Sequence, residues 1–489
     1  MKTFIKKALI IPALICTALA FAETPRAFFA YNTFLSPDNG PYLETYLQFD
    51  ASSLKFIENL QNEFQAAVGV LLVFKQDEQI VEFSKHELRS PAITDTTEVF
   101  FSFLDQQRFL LPNGDYTLEI TINDLNTESD PTVHTENISI NLLPDTITLS
   151  SIQLAERIEP AEVSGPLTKS GYDIYPYVDF FYPADRNRIL FYIEIYNAAQ
   201  QLGEDEGFLV SSSIEVFETR RVMADFNRFK RESARSVNVL INTFDISRLP
   251  SGNYFLVVNV RDRNNEPLAS NRVFFQRSNP NLALNPEDFE HVEIANSFAE
   301  QITEHDSLVY FIRALGPIST YSEREFAFRL TNTGKVKEMQ QYFYNFWLQH
   351  DPARPQEAWK NYYIEISRAD ANFKTRVKRG YETDRGRVFL QYGPPNTISQ
   401  SYDEPSAFPY EIWHYYAING QRNKRFVFYS RDFATNDFEL IHSDVIGELA
   451  NHRWHLLIHD RNHLRWNVDT ELAPDHWGSR SRELFLDPR

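Results

Sequence analysis

The sequence predicts a mainly β N-terminal half, built as two tandem immunoglobulin-like β-sandwiches, followed by an α+β C-terminal domain with helices packed on a small antiparallel sheet. Three observations predict it. A turn-plus-strand segment recurs 138 residues downstream, the periodicity becomes helical after Asn285-Pro286, and it returns to two past Gly380.

The repeat carries the first prediction. Leu111-Pro112-Asn113-Gly114-Asp115-Tyr116-Thr117-Leu118 recurs as Leu249-Pro250-Ser251-Gly252-Asn253-Tyr254-Phe255-Leu256. In each copy Pro-x-Gly makes a turn. Tyr, Leu and the β-branched residues that follow then alternate at period two, which is a strand with one buried face. Core packing accounts for Tyr116 and Tyr254 without a tyrosine corner. Tyr42–Phe49, Ala66–Phe74, Ile80–Phe83 and Val99–Leu104 read as strands of the first copy. Ile189–Tyr196, Ser212–Phe217, Ser236–Ile241 and Arg272–Gln276 read as strands of the second. Short strands at this spacing, divided by polar turns, are the pattern of a sandwich. His86 and His134 are expected to be isolated and exposed.

Asn279-Pro280-Asn281 through Asn285-Pro286 reads as a linker. Beyond it, Leu308–Leu315 forms a helix ending at Gly316-Pro317. Met339, Tyr342, Phe343, Phe346 and Trp347 share one face of a second helix, which Asp351-Pro352 stops. Trp359, Tyr362, Tyr363, Ile366, Ala369 and Phe373 mark a third. Such aromatic stripes are core rather than a cofactor box. Four short strands follow: Val388–Tyr392, Tyr410–Tyr416, Arg425–Tyr429 and Phe438–His442. The expected domains are a signal peptide at 1–22, sandwiches at 23–147 and 148–278, and the α+β domain at 279–489.

The first residues predict export. Lys2, Lys6 and Lys7 precede the apolar run Ala8–Leu19, and Ala20-Phe21-Ala22 is a cleavage site. Cys16, the only cysteine, leaves with this segment. The mature chain is then expected to hold itself by burial alone, which excludes Cys nucleophiles and Cys-based zinc sites. Without the three signal lysines, 45 basic residues face 67 acidic ones, a net charge of −22 with neutral histidines. That excess opposes nucleic-acid and anionic-lipid binding and suits a solvated extracytoplasmic protein. No later segment is apolar enough for a membrane span.

Glycines, prolines and charges concentrate between Gly380 and Pro395. The structural account makes Gly380 a left-handed helix cap and Thr383 or Asp384 the residue that closes the turn, with Gly386 a further glycine of the structural motif. Gly393, Pro394 and Pro395 then end a strand. The functional account makes Glu382, Asp384 and Glu411 an acid–base carboxylate set. It makes Tyr381, Thr383, Asp384, Arg385, Arg387, Tyr392 and Trp413 a binding surface, with the arginines gripping a carboxylate or phosphate. His452, His455, His459 and His463 are weak metal candidates, since a continuous helix puts their spacing on one face. No cofactor is predicted.

Gly380-Tyr381-Glu382-Thr383-Asp384-Arg385-Gly386-Arg387 with Tyr392-Gly393-Pro394-Pro395 resembles the signature of the GWxTD-domain proteins, exported bacterial proteins. Tyr381 stands where that family carries Trp. Asp351-Pro352, Tyr362-Tyr363, Pro409-Tyr410-Glu411-Ile412-Trp413, Phe426-Val427-Phe428 and His442-Ser443 extend the resemblance, as do Gly40-Pro41-Tyr42-Leu43-Glu44 and Phe191–Asn197 upstream. It implies periplasmic or outer-surface placement and an α+β module behind β-sandwiches, and supplies no catalytic residues. The expected function is a non-catalytic cell-envelope scaffold or interaction protein, with recognition on the C-terminal domain. Its expected partners are other envelope proteins, with an outer-membrane association. The alternatives are an envelope hydrolase of glycan or peptide, and a divalent-cation-binding protein.

Overall fold

A computed structural model describes residues 25–36, 39–404, 407–432, 435–451, 453–459 and 480–486. The expected signal segment with Cys16, and the metal candidates His452 and His463, lie outside the described residues. The chain divides into two compact units, Met1–Leu143 with Glu162–Thr168, and Pro144–Ala161 with Lys169–Arg489.

The first unit holds two antiparallel sheets. One orders Ala27–Ser36, Gly40–Asp50 and Ser102–Leu110; the other orders Gln79–Arg89, Ala67–Gln76, Gly114–Asp124 and Thr132–Ile140. One core draws on both, with Leu43, Leu47 and Phe49 from the first sheet and Val70, Leu72 and Leu118 from the second. Alternation decides which residues enter it, since successive side chains of a strand point to opposite faces. His86 and His134 are not isolated. Each lies beside a carboxylate, His86 Nε2 at 3.0 Å from Asp105 and His134 Nε2 at 3.4 Å from Glu136.

The β-rich part of the second unit repeats the arrangement with longer sheets. The strand Arg188–Tyr196 pairs Val237–Asp245 in one sheet, and Gly207–Val216, Gly252–Arg261 and Pro267–Arg277 are neighbours in the other. Phe191, Ile193 and Leu240 meet Val210, Leu256 and Val258 in one core. The N-terminal half is thus β strands in several sheets, an arrangement compatible with the expected sandwiches.

The two turn tyrosines do more than pack. Tyr116 Oη donates to the Pro112 carbonyl and Tyr254 Oη to the Pro250 carbonyl, each at 2.9 Å and four residues back. This is the hydrogen bond of a tyrosine corner. The expectation of packing alone is corrected: a buried phenol needs a partner, and the turn carbonyl is in reach.

The copies differ on their outward faces. Phe255 pairs with Phe274 across the second copy's strands, and Val257 lies two residues on. The corresponding cross-strand pair of the first copy is Thr117 with Asn137. Phe255 and Val257 are buried because the C-terminal region covers them. Tyr392 packs on this patch, and Gly447 comes so close that a Cβ there would sit 2.9 Å from the Phe217 ring. The Ser322 hydroxyl donates to the Ser251 carbonyl at 3.0 Å, and Arg221 lies 3.7 Å from Glu323.

The C-terminal region has helices His305–Ala314, Tyr321–Thr333, Val336–His350, Pro355–Phe373 and Asp384–Tyr392. A four-stranded antiparallel sheet follows in chain order, Thr397–Ser401, Tyr410–Ile418, Gln421–Tyr429 and Glu439–Ser443. The predicted stripe Met339, Tyr342, Phe343, Phe346 and Trp347 is buried. The helix Tyr321–Thr333 went unpredicted, although Thr320 and Glu323 form a capping box at its start.

One expectation fails at the motif itself. Val388–Tyr392 is not a strand but the end of the helix Asp384–Tyr392. Thr383 caps it, accepting from the Gly386 N–H at 3.1 Å, and Gly393 ends it at φ +82°. A five-residue segment with one polar residue, Gln391, does not separate the two periods by itself, and the cap decides. The sheet's missing strand is Thr397–Ser401. Among the described residues no helix is long and apolar enough to cross a membrane.

Candidate functional site

The motif's shape begins with close backbone contact. A Cβ on Gly380 would lie 2.2 Å from the Ala369 carbonyl oxygen, and one on Gly386 would lie 1.8 Å from the Gly380 oxygen. The short turn Gly380–Glu382 is therefore wedged between two helices. Gly380 is not in the expected left-handed cap conformation; Lys374 is the C-cap of Pro355–Phe373. Asp370, which no motif in the sequence marks, fastens the turn. Its carboxylate accepts from Gly380 N at 2.6 Å and from Tyr310 Oη at 3.1 Å. Tyr381 is buried against Tyr310, and burial pushes its phenol up to about 12. The buried Thr383 hydroxyl donates to the Gly380 carbonyl at 2.8 Å while capping the next helix.

The candidate charges split into two groups. Arg385 and Glu411 form a buried pair at 2.8 Å. Glu411 also accepts from Tyr402 Oη at 2.6 Å and from Trp413 Nε1 at 3.0 Å. Arg385 donates to the Asn436 carbonyl at 3.0 Å and stacks 4.1 Å from the Phe438 ring centre. Glu411 is held by three donors, which makes burial of its charge tolerable, while Arg385 uses both terminal nitrogens and leaves its buried Nε without a hydrogen-bond partner. Trp413 is wholly buried and serves this cluster.

Arg387 grips Glu448 with two bonds of 2.7 and 2.8 Å, and Tyr392 Oη donates to the same carboxylate at 2.7 Å. Asp384 accepts from Leu440 N at 2.7 Å, and Glu382 from Arg379 N at 2.8 Å. Gly393, Pro394 and Pro395 carry the chain from the helix to the next strand, with the Gly393 carbonyl accepting from Tyr415 Oη at 2.8 Å.

Beside this second group lies a cavity of about 600 Å³, inside the ~300–1,000 Å³ range of ligand pockets. Tyr381, Glu382, Asp384 and Arg387 line it from the C-terminal region, and Phe217 and Glu218 line it from the β-rich part. Glu411 is not among the lining residues, so the proposed carboxylate set does not converge. Glu218 was missed in the sequence. One of its oxygens, Oε2, is buried without a hydrogen-bond partner. Burial raises its pKa to about 7, against the pull of the Arg324 charge and a hydrogen bond from Asn253. A signal for this part of the lining did exist in the apolar outward residues Phe255, Val257 and Phe274, where the first copy is polar.

The remaining metal candidates do not assemble. His455 and His459 lie on the short helix Trp454–His459, where His455 meets the Trp454 ring and buried His459 lies 3.5 Å from Ser481 Oγ. Among the described residues no group of three or more His, Cys, Asp or Glu side chains is placed to hold a metal ion.

The GWxTD domain family model matches residues 290–457. No curated protein matches the chain. Among solved structures, Bacteroides uniformis beta-glucuronidase 2 covalently bound to cyclophellitol-6-carboxylate aziridine matches at 8% identity and a TM-score of 0.18. The match covers 48% of this chain and spans 26% of that one. Fibronectin(III)-like modules of Clostridium thermocellum CbhA match at 8% identity and a TM-score of 0.13, over 50% of this chain and 89% of that one. At these scores neither likeness bears on fold or function.

Proposed function

With residues 290–457 matching the GWxTD domain, we propose that this is an exported, non-catalytic interaction protein of the bacterial envelope. Its recognition element is the cavity face of the C-terminal region. The β-rich parts act as docking modules, and the location is the periplasm or outer surface. The observation that carries the reading is the engagement of the motif's carboxylates. Glu411 is tied to Arg385, Tyr402 and Trp413, Asp384 to Leu440 N, and Glu382 to Arg379 N. Groups fixed this way shape a surface rather than shuttle protons. A pulldown from envelope extracts tests it, with the full mature chain against a variant of two cavity-lining residues, Phe328→Ala/Glu382→Ala, of matched melting temperature. Loss of partners from the variant is expected. Identical partner sets would remove the cavity face from recognition.

One observation favours the hydrolase reading. Glu218, raised to about 7, shares the cavity with Glu382 and Asp384, and carboxyls of unlike acidity suit acid–base work. That reading requires turnover of a glycan or peptide by the wild type and its loss in Glu218→Gln. The divalent-cation reading has no donor set to support it among the described residues.

A further inference from the structure

The cavity's lining is near charge balance, with Arg313, Arg324 and Arg387 against Glu218, Glu382, Asp384 and Glu448. Arg387 is neutralised by Glu448. Arg313 is held by the side chains of Thr331 and Asn332, and Arg324 donates to the Ser319 carbonyl at 2.6 Å. Glu382 and Asp384 each accept a backbone N–H. A ligand of strong single-sign charge would find no matching unmatched field here.

Two groups remain unused. Glu218 Oε2 is a buried acceptor with no donor, and Asn253, which also lines the cavity, holds the same carboxyl. A ligand hydroxyl reaching that oxygen would supply the missing partner. Phe328 lines the same cavity with 63% of its surface exposed, so a flat apolar ring stands open beside a polar wall.

The geometry points to a binding site for a neutral, hydroxyl-rich ligand, a glycan segment, with Phe328 as the stacking face and Glu218 and Asn253 as the hydrogen-bonding wall. A sugar ring offers both faces of that chemistry, C–H groups for the aromatic ring and hydroxyls for the polar side chains. The inference rests on the reading of the cavity as the recognition element and names what it recognises.

The test exposes the full mature chain to arrayed neutral oligosaccharides, charged oligosaccharides and peptides, then measures the strongest binder by calorimetry. Saturable binding of a neutral oligosaccharide is expected, weakened roughly tenfold by Phe328→Ala, the size of one lost aromatic contact. Because Phe328 is exposed, that variant keeps its melting temperature. Glu218→Gln, which alters the polar wall alone, should weaken the same binding. Retention of peptides or charged glycans only, or neutral-glycan binding that neither substitution changes, would overturn the inference. If no neutral glycan binds but the pulldown variant loses protein partners, the glycan inference fails and the recognition reading stands. If the partner sets are also identical, both fail.

Discussion

Arg385 and Glu411 meet at 2.8 Å with only 6% and 7% of their side chains exposed. Twenty-six residues apart, they join the motif helix to the second strand of the C-terminal sheet. Arg385→Ala would leave Glu411 charged and buried among Tyr402 and Trp413. We expect a loss of about 3–5 kcal/mol, and a smaller one for the double change Arg385→Met/Glu411→Leu. Urea unfolding of the protein, followed by tryptophan fluorescence, measures both.

Glu218 makes stability depend on pH. Its folded pKa of about 7 lies above the ordinary 4.5, so between those values the folded state holds the proton and the unfolded state has released it. Stability therefore falls as pH rises from about 4.5 to about 7 and is level beyond. Glu218→Gln removes that fall. At pH 8 the variant should be the more stable by roughly 2–3 kcal/mol, and near pH 4 the gap should close. Melting curves across this range decide it; parallel wild-type and variant curves would contradict the burial of this carboxyl.

The wedge at Gly380 leaves no room for a methyl group. Gly380→Ala sets a Cβ against the Ala369 carbonyl at 2.2 Å, and backbone on both sides must shift. The expected cost is about 2 kcal/mol or more. The same substitution at Gly393, where a Cβ meets nothing within 4 Å, carries only the cost of its positive φ. Denaturant midpoints of the two variants should separate accordingly.

Tyr116→Phe and Tyr254→Phe each remove one hydroxyl and leave one proline carbonyl without its donor. Each should cost about 1 kcal/mol. Equal losses from two positions 138 residues apart would show that the turn repeats in energy as well as in pattern. Thermal melts of the single variants suffice.

The sequence was most readable where one period ran long. Met339 to Trp347 repeats at helical spacing across two turns, and Leu118, Ile120 and Ile122 alternate on a strand; both behave as their patterns require. It was least readable at Val388–Tyr392, where five residues fit either period and a threonine cap five positions upstream settles the matter. Thr320 with Glu323 carries the same information for the helix Tyr321–Thr333. At the site, motif density led to Tyr381, Glu382, Asp384 and Arg387. It could not lead to Glu218, which lies some 160 residues earlier and reaches the cavity only through the packing of one region on another. It also grouped Glu411 with Asp384, because proximity to a motif in sequence does not say which side of a helix a partner occupies.

The outward pair Phe255–Phe274, set against Thr117–Asn137 in the first copy, bears on how this chain can be divided. One copy has become a foundation, with greasy ground where its sibling stays wettable. A fragment cut at residue 279 would strip the helices and terminal sheet of that footing and leave the donor half with a bare adhesive patch. Cutting at residue 144 keeps footing and superstructure together in one unit.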